Sequence, residues 1–173
     1  MAVVLYGPKG AGKSFLARRL AEVGVFHVDP DPLIHCLLAA GRAPDPVEGW
    51  LRDVLRECFS ALQRESIISV EATGAYESDW RLRDELGRNG HRVIRVWVYA
   101  PLDVTLERLS ERTGRAPLTR QQAETMYELA TARAETVDFD FVIDTTSDTD
   151  ADEVETRLAA ALEEPTPDQY EER

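Results

Sequence analysis

The 173-residue sequence predicts an α/β fold: a five-stranded, mainly parallel sheet with helices on both faces. Three observations predict it. Short apolar runs alternate with segments of helical period five times along the chain, the pattern of parallel strands joined by crossover helices. The first run ends in a glycine-rich loop that opens an amphipathic helix. Breakers such as Gly7-Pro8, Asp29-Pro30-Asp31-Pro32 and Asn89-Gly90 separate the segments.

The elements follow in order. Ala2 to Tyr6 is uninterrupted and apolar, a short buried strand. Ser14 to Val23 places Phe15, Leu16, Leu20 and Val23 on one helical face, and Gly24 stops it. Val25 to Val28 is a second strand, halted by the Asp-Pro pairs. Residues 41–46 read as a loop. The helix after it has the clearest period, with Val47, Trp50, Leu51, Val54, Leu55, Cys58, Phe59 and Leu62 on one stripe. Ser66 to Val70 is the third strand. Ser78 is positioned to cap a helix through Trp80, Leu82 and Leu86. Arg92 to Tyr99 is the fourth strand, and Leu102 to Leu109 returns to helix. Thr119 with Gln122 forms a capping box for another helix. Phe139 to Ile143 is the fifth strand, and Asp150 with Glu153 opens a last helix. The domain spans 1–162; residues 163–173, poor in apolar side chains, read as a flexible acidic tail.

Charge narrows the function. The net charge is −12, and 11 of the 32 acidic residues lie in residues 144–173 beside only Arg157 and Arg173. No broad basic surface is visible, which disfavours nucleic acid as a partner without excluding it. No apolar run approaches the ~18–20 residues of a membrane span. The N-terminal stretch lacks the basic flank and long apolar core of a signal peptide. Two cysteines, Cys36 and Cys58, sit in apolar helical patterns and read as buried thiols, so a cytoplasmic setting is expected. Oligomeric state is not legible.

Gly7-Pro8-Lys9-Gly10-Ala11-Gly12-Lys13-Ser14 satisfies G-x-x-x-x-G-K-[ST] at every fixed position, between a strand and a helix. Its glycines let successive backbone N–H groups face one point at the positive end of the helix dipole, which holds phosphate. In this pattern Lys13 reaches the β- and γ-phosphates and Ser14 ligates magnesium, so ATP and Mg2+ are the expected cofactors. Lys9 and Lys13 are the only lysines beside 18 arginines, and a compact ammonium suits a phosphate nest better than a planar fork does. The motif establishes the P-loop NTPase fold as the expectation.

From about Val3 to Leu162 the chain resembles small P-loop kinases of the shikimate, gluconate and polynucleotide kinase type, AAA-type P-loop phosphotransferases. Asp29-Pro30-Asp31 resembles the D-x-D element of the first two. The resemblance makes Asp31 the base that meets the acceptor hydroxyl and Asp29 its metal-side partner. Two Asp residues in such a turn also cap a following helix; the adjacent phosphate loop favours chemistry. Where related kinases carry Arg or His three residues after the second acid, this chain has Ile34, with His35 one place later. Glu71, leaving the third strand in Glu71-Ala72-Thr73-Gly74, takes the place of an acid near magnesium, and Thr73 that of a group near the acceptor; a simple helix-entry turn is the alternative. Arg108 and Arg112 share a helical face, and Arg115 follows Gly114 on a basic stretch. This resembles a short lid, about 112–120, whose arginines neutralise charge leaving the γ-phosphate. The loop at Asp144-Thr145-Thr146 resembles one that borders the adenine beside a lid arginine.

The resemblance implies an ATP-dependent kinase acting on a hydroxyl of a small-molecule acceptor, with Arg42, Arg52 and Arg56 available to an anionic one. The first alternative is a polynucleotide or nucleoside 5′-hydroxyl kinase. The second is a nucleotide-dependent switch or ATPase without an acceptor.

Overall fold

The structure is a computed structural model that describes residues 1–30, 46–111 and 118–146, with residues 156, 159 and 160, which are helical. Five strands form one all-parallel sheet: β1 Ala2–Tyr6, β2 Phe26–Val28, β3 Ile68–Ala72, β4 Val93–Tyr99 and β5 Phe141–Asp144, in the spatial order β2-β3-β1-β4-β5. The helices among the described residues are α1 Lys13–Glu22, α2 Pro46–Leu62, α3 Glu77–Arg88, α4 Leu102–Ser110 and α5 Arg120–Ala134. The expected fold class is therefore observed.

The central strand decides the architecture. Every residue of β1 is buried, because both of its edges are paired and both of its faces covered. Successive side chains alternate faces. Val4 and Tyr6 join the layer containing Leu51, Val54, Leu82 and Leu86 of α2 and α3. Val3 and Leu5 join Leu16, Ala17 and Leu20 of α1 in the other. Tyr6 pairs with Ala72 and with Trp97, and Tyr99 pairs with Asp144, so the strands end at one common edge. The loops that carry chemistry leave from that edge.

Several boundaries differ from the expected ones. The third strand runs Ile68–Ala72, two residues later than expected, because pairing with β1 starts at Ala2↔Ile68 and continues to Tyr6↔Ala72. Ser66 instead receives the N-terminal amine on its carbonyl. The fifth strand starts at Phe141; just before it, Asp140 turns its carboxylate to the Arg95 N–H and guanidinium while its own N–H bonds the Arg95 carbonyl. Ser78 is not a cap. It lies inside α3 and is buried, while the helix begins after Tyr76, whose N–H is taken by the Asp79 carboxylate. The Thr119–Gln122 capping box is formed as expected, each side chain bonding the other's backbone N–H. Cys58 is fully buried; Cys36, most of the expected 41–46 loop, and the expected caps Asp150 and Glu153 lie outside the described residues.

Candidate active site

The loop between β1 and α1 is shaped by what surrounds it. Gly10 and Gly12 have φ of +88° and +101°. A Cβ on Gly10 would lie 2.6 Å from the Thr105 carbonyl oxygen, and one on Gly12 would lie 2.9 Å from Thr145 Cγ2. Only glycine fits either place. Gly12 precedes α1 and its carbonyl accepts from the N–H groups of Phe15 and Leu16, so the helix opens directly under the loop. Ala11 N–H bonds the Pro8 carbonyl at 3.2 Å and tightens the turn.

Lys13, the first residue of α1, is 7% exposed. Its Nζ donates to the carbonyls of Gly7 at 2.6 Å and Pro8 at 3.0 Å, so the ammonium lies across the concave side of its own loop. Ser14 and Lys9 are half-buried beside it. Six loop residues, Gly7 to Gly12, and the pair Lys13-Ser14 thus come together as the motif requires.

Arg108 stands on α4 against the far side of this loop. It donates to Thr145 Oγ1 at 2.8 Å, to the Thr145 carbonyl at 2.9 Å and to the Gly10 carbonyl at 3.3 Å. Thr145 Oγ1 donates to the Ala11 carbonyl at 2.6 Å, and its N–H bonds the Tyr99 carbonyl. Arg108, expected to share a helical face with Arg112 just before the lid at about 112–120, is built into the wall of the phosphate loop, because three carbonyl and hydroxyl oxygens converge on its fork. Arg112, Arg115 and Asp31 lie outside the described residues.

Asp29 is exposed one residue beyond β2, and Glu71 is half-buried one residue before the end of β3. Glu71 Oε1 is 3.6 Å from His27 Nε2, and His27 Nδ1 shares a 3.0 Å hydrogen bond with Ser69 Oγ. His27 and Ser69 are register partners, so these side chains share the α1 face of the sheet. Sequence reading missed the contact, although polar residues at alternate places in buried strands were its signal.

Thr73 does not stand open at the end of β3. Its hydroxyl donates to Asp79 Oδ2 at 2.5 Å and accepts from Ala75 N–H at 3.3 Å. Burial raises the Asp79 carboxyl above the usual carboxylate range, opposed by bonds from Thr73, Tyr76 and Gly74 and by the charge of Lys13. Arg52 and Arg56 are exposed on α2 and paired with Asp53 and Glu57. Arg42 lies outside the described residues.

The donor atoms are of the kind magnesium takes: the Ser14 hydroxyl and the Asp29 and Glu71 carboxylates are hard oxygens.

Comparison with known proteins supplies the family. The family described as AAA domain matches residues 3–134. No curated protein matches the chain in sequence. Among solved structures, shikimate kinase from Acinetobacter baumannii in complex with shikimate is 21% identical, with a TM-score of 0.64 over 93% of this chain and 92% of that one. The tunicamycin resistance protein of Deinococcus radiodurans is 25% identical, with a TM-score of 0.65 over 96% and 98%. A chain of the Pnkp1/Rnl/Hen1 RNA repair complex is 19% identical, with a TM-score of 0.63 over 80% of this chain and 46% of that one.

Proposed function

Because the chain belongs to the AAA-domain family of P-loop proteins, we propose that it is a cytoplasmic, ATP-dependent kinase that transfers the γ-phosphate to a hydroxyl of a small-molecule acceptor. The observation that carries this reading is the buried Lys13 ammonium lying across Gly7 and Pro8, with Asp29 just past β2 and Glu71 near the end of β3.

Phosphoryl transfer passes through a loose transition state, so the protein contributes positioning and charge. The loop amides and Lys13 bind the phosphates. Ser14, Asp29 and Glu71 would hold Mg2+, which when bound neutralises phosphate charge. Asp31 orients the acceptor hydroxyl and takes its proton. Arg112 and Arg115 stabilise charge on the leaving side. Arg108 and Thr145 hold the loop and border the nucleotide base. Shikimate kinase is by its name a kinase of a small acceptor, which supports the class and not the acceptor. Pairing of Arg52 and Arg56 on α2 leaves no basic strip there and favours a small acceptor over a polynucleotide.

The test is an ATP-consumption screen over sugars, nucleosides, tunicamycin, shikimate and other metabolite acids, and 5′-hydroxyl oligonucleotides, run with wild type and Asp31→Asn. The expected result is one phosphorylated small molecule, with kcat reduced on the order of 10²–10⁴-fold in the variant and ATP affinity kept. Hydrolysis without any acceptor, indifferent to Asp31→Asn, would assign the chain to the switch ATPases instead.

A further inference from the structure

Asp79 is a carboxylate only 3% exposed, three residues into α3, and it belongs to no expected site. It makes three separate ties. Its Oδ2 accepts from Thr73 Oγ1 at 2.5 Å and from Tyr76 N–H at 3.3 Å, which holds the turn after β3. Its backbone carbonyl accepts from Tyr6 Oη at 3.3 Å. Tyr6 is the last residue of β1 and immediately precedes Gly7 of the phosphate loop. The neighbouring Trp80 reinforces both ends: its ring stacks on Tyr6 at 4.6 Å and its Nε1 donates to the Gly74 carbonyl at 3.1 Å.

We infer that Asp79 is a positioning residue for phosphoryl transfer: it ties the turn after β3 to the strand that carries the phosphate loop, and it takes the one proton of Thr73. The inference rests on the kinase reading above. A threonine hydroxyl has one proton and two lone pairs. The proton goes to Asp79 and one lone pair to Ala75 N–H. Thr73 can therefore meet a further group only by accepting a hydrogen bond, as from a second hydroxyl of the acceptor, since the hydroxyl about to be phosphorylated gives its one proton to Asp31. A plain helix cap does not need this residue. A neutral side chain would cap at lower cost, because a buried carboxylate is desolvated. The charge of Lys13 acts on Asp79 and offsets part of that cost.

Two kinds of role separate in the variants. For a positioning residue, Asp79→Asn keeps the fold and relieves a desolvated charge, so Tm holds or rises while kcat falls. For a merely structural residue, Tm and kcat fall together. The experiment measures Tm, Mg·ATP affinity with a fluorescent ATP analogue, and turnover of the acceptor found in the screen. It uses wild type, Asp79→Asn, Thr73→Val, Thr73→Ser and the double variant Asp79→Asn/Thr73→Val. The expected result is a kcat loss of at least about tenfold in Asp79→Asn and Thr73→Val, with nucleotide affinity within about threefold. Thr73→Ser should retain activity, and the double variant should be no worse than either single one. Turnover within about threefold of wild type in Asp79→Asn, a kcat loss matched by a fall in Tm, or additive losses in the double variant would each overturn the inference. Should Asp79→Asn fail to fold, the contrast between Thr73→Val and Thr73→Ser decides. A wild type that neither binds Mg·ATP nor consumes it would instead sink the kinase reading.

Discussion

Arg108 and Thr145, 37 residues apart, are joined by two hydrogen bonds of 2.8 and 2.9 Å, and both also hold the phosphate loop. Arg108 grips the Gly10 carbonyl while Thr145 grips that of Ala11. The loop is thus braced from β5 and α4 as well as by its own turns. Thr145→Val removes the hydroxyl from this brace, and Arg108→Ala removes the fork. Each lost bond is worth ~1 kcal/mol. Both variants should melt lower and bind Mg·ATP more weakly, read by calorimetry on the same samples. Unchanged affinity in both would mean that the loop needs no brace.

Gly12→Ala should be worse than either. The new Cβ would meet Thr145 Cγ2 at 2.9 Å, in a backbone conformation that alanine rarely adopts. Strain of this kind costs ~1–3 kcal/mol. A thermal melt at wild-type temperature would show that the loop yields freely.

Lys13→Ala should abolish turnover in a folded protein. The ammonium lies across Gly7 and Pro8, so its loss takes away the charge proposed to meet the phosphates. Circular dichroism checks the fold and a coupled assay the activity. Undiminished turnover would take the loop out of the mechanism.

Arg112→Ala and Arg115→Ala should lower kcat more than they raise the KM for ATP, because charge on the leaving oxygen develops in the transition state. Steady-state kinetics over ATP concentration separates the two effects. A change confined to KM in both variants would make them binding groups.

Acid should weaken the β4–β5 end of the sheet. Burial alone would raise the Asp140 carboxyl, but bonds and charge from Arg95 outweigh it and hold the group below the usual carboxylate range. A depressed carboxylate stabilises the fold above its unfolded-state pKa, and that contribution is lost as pH falls through its folded-state pKa. Asp140→Asn should therefore flatten the acid limb of a Tm-against-pH curve and leave the slope near neutrality unchanged. The effect is small, since solvent reaches the pair. An identical acid limb in the variant would show that the pair contributes nothing.

The sequence by itself determined the fold class, the phosphate loop and the Thr119–Gln122 cap, because each rests on signals within a few residues: alternating periods, glycines at fixed offsets, a side chain reaching its own helix end. The tertiary structure alone decided where Arg108 belongs, that Glu71 meets His27, and that Asp79 rather than Ser78 closes the start of α3. Those contacts depend on strand order and register. β3 lies between β2 and β1, so His27 comes beside Ser69 and Tyr6 beside Ala72. β4 lies between β1 and β5, so Thr145 arrives next to a loop more than a hundred residues earlier. Local periodicity carries no information about which strands become neighbours. That choice is made by burying β1 on both faces, and it sets the partners of every polar group at the sheet's carboxyl edge.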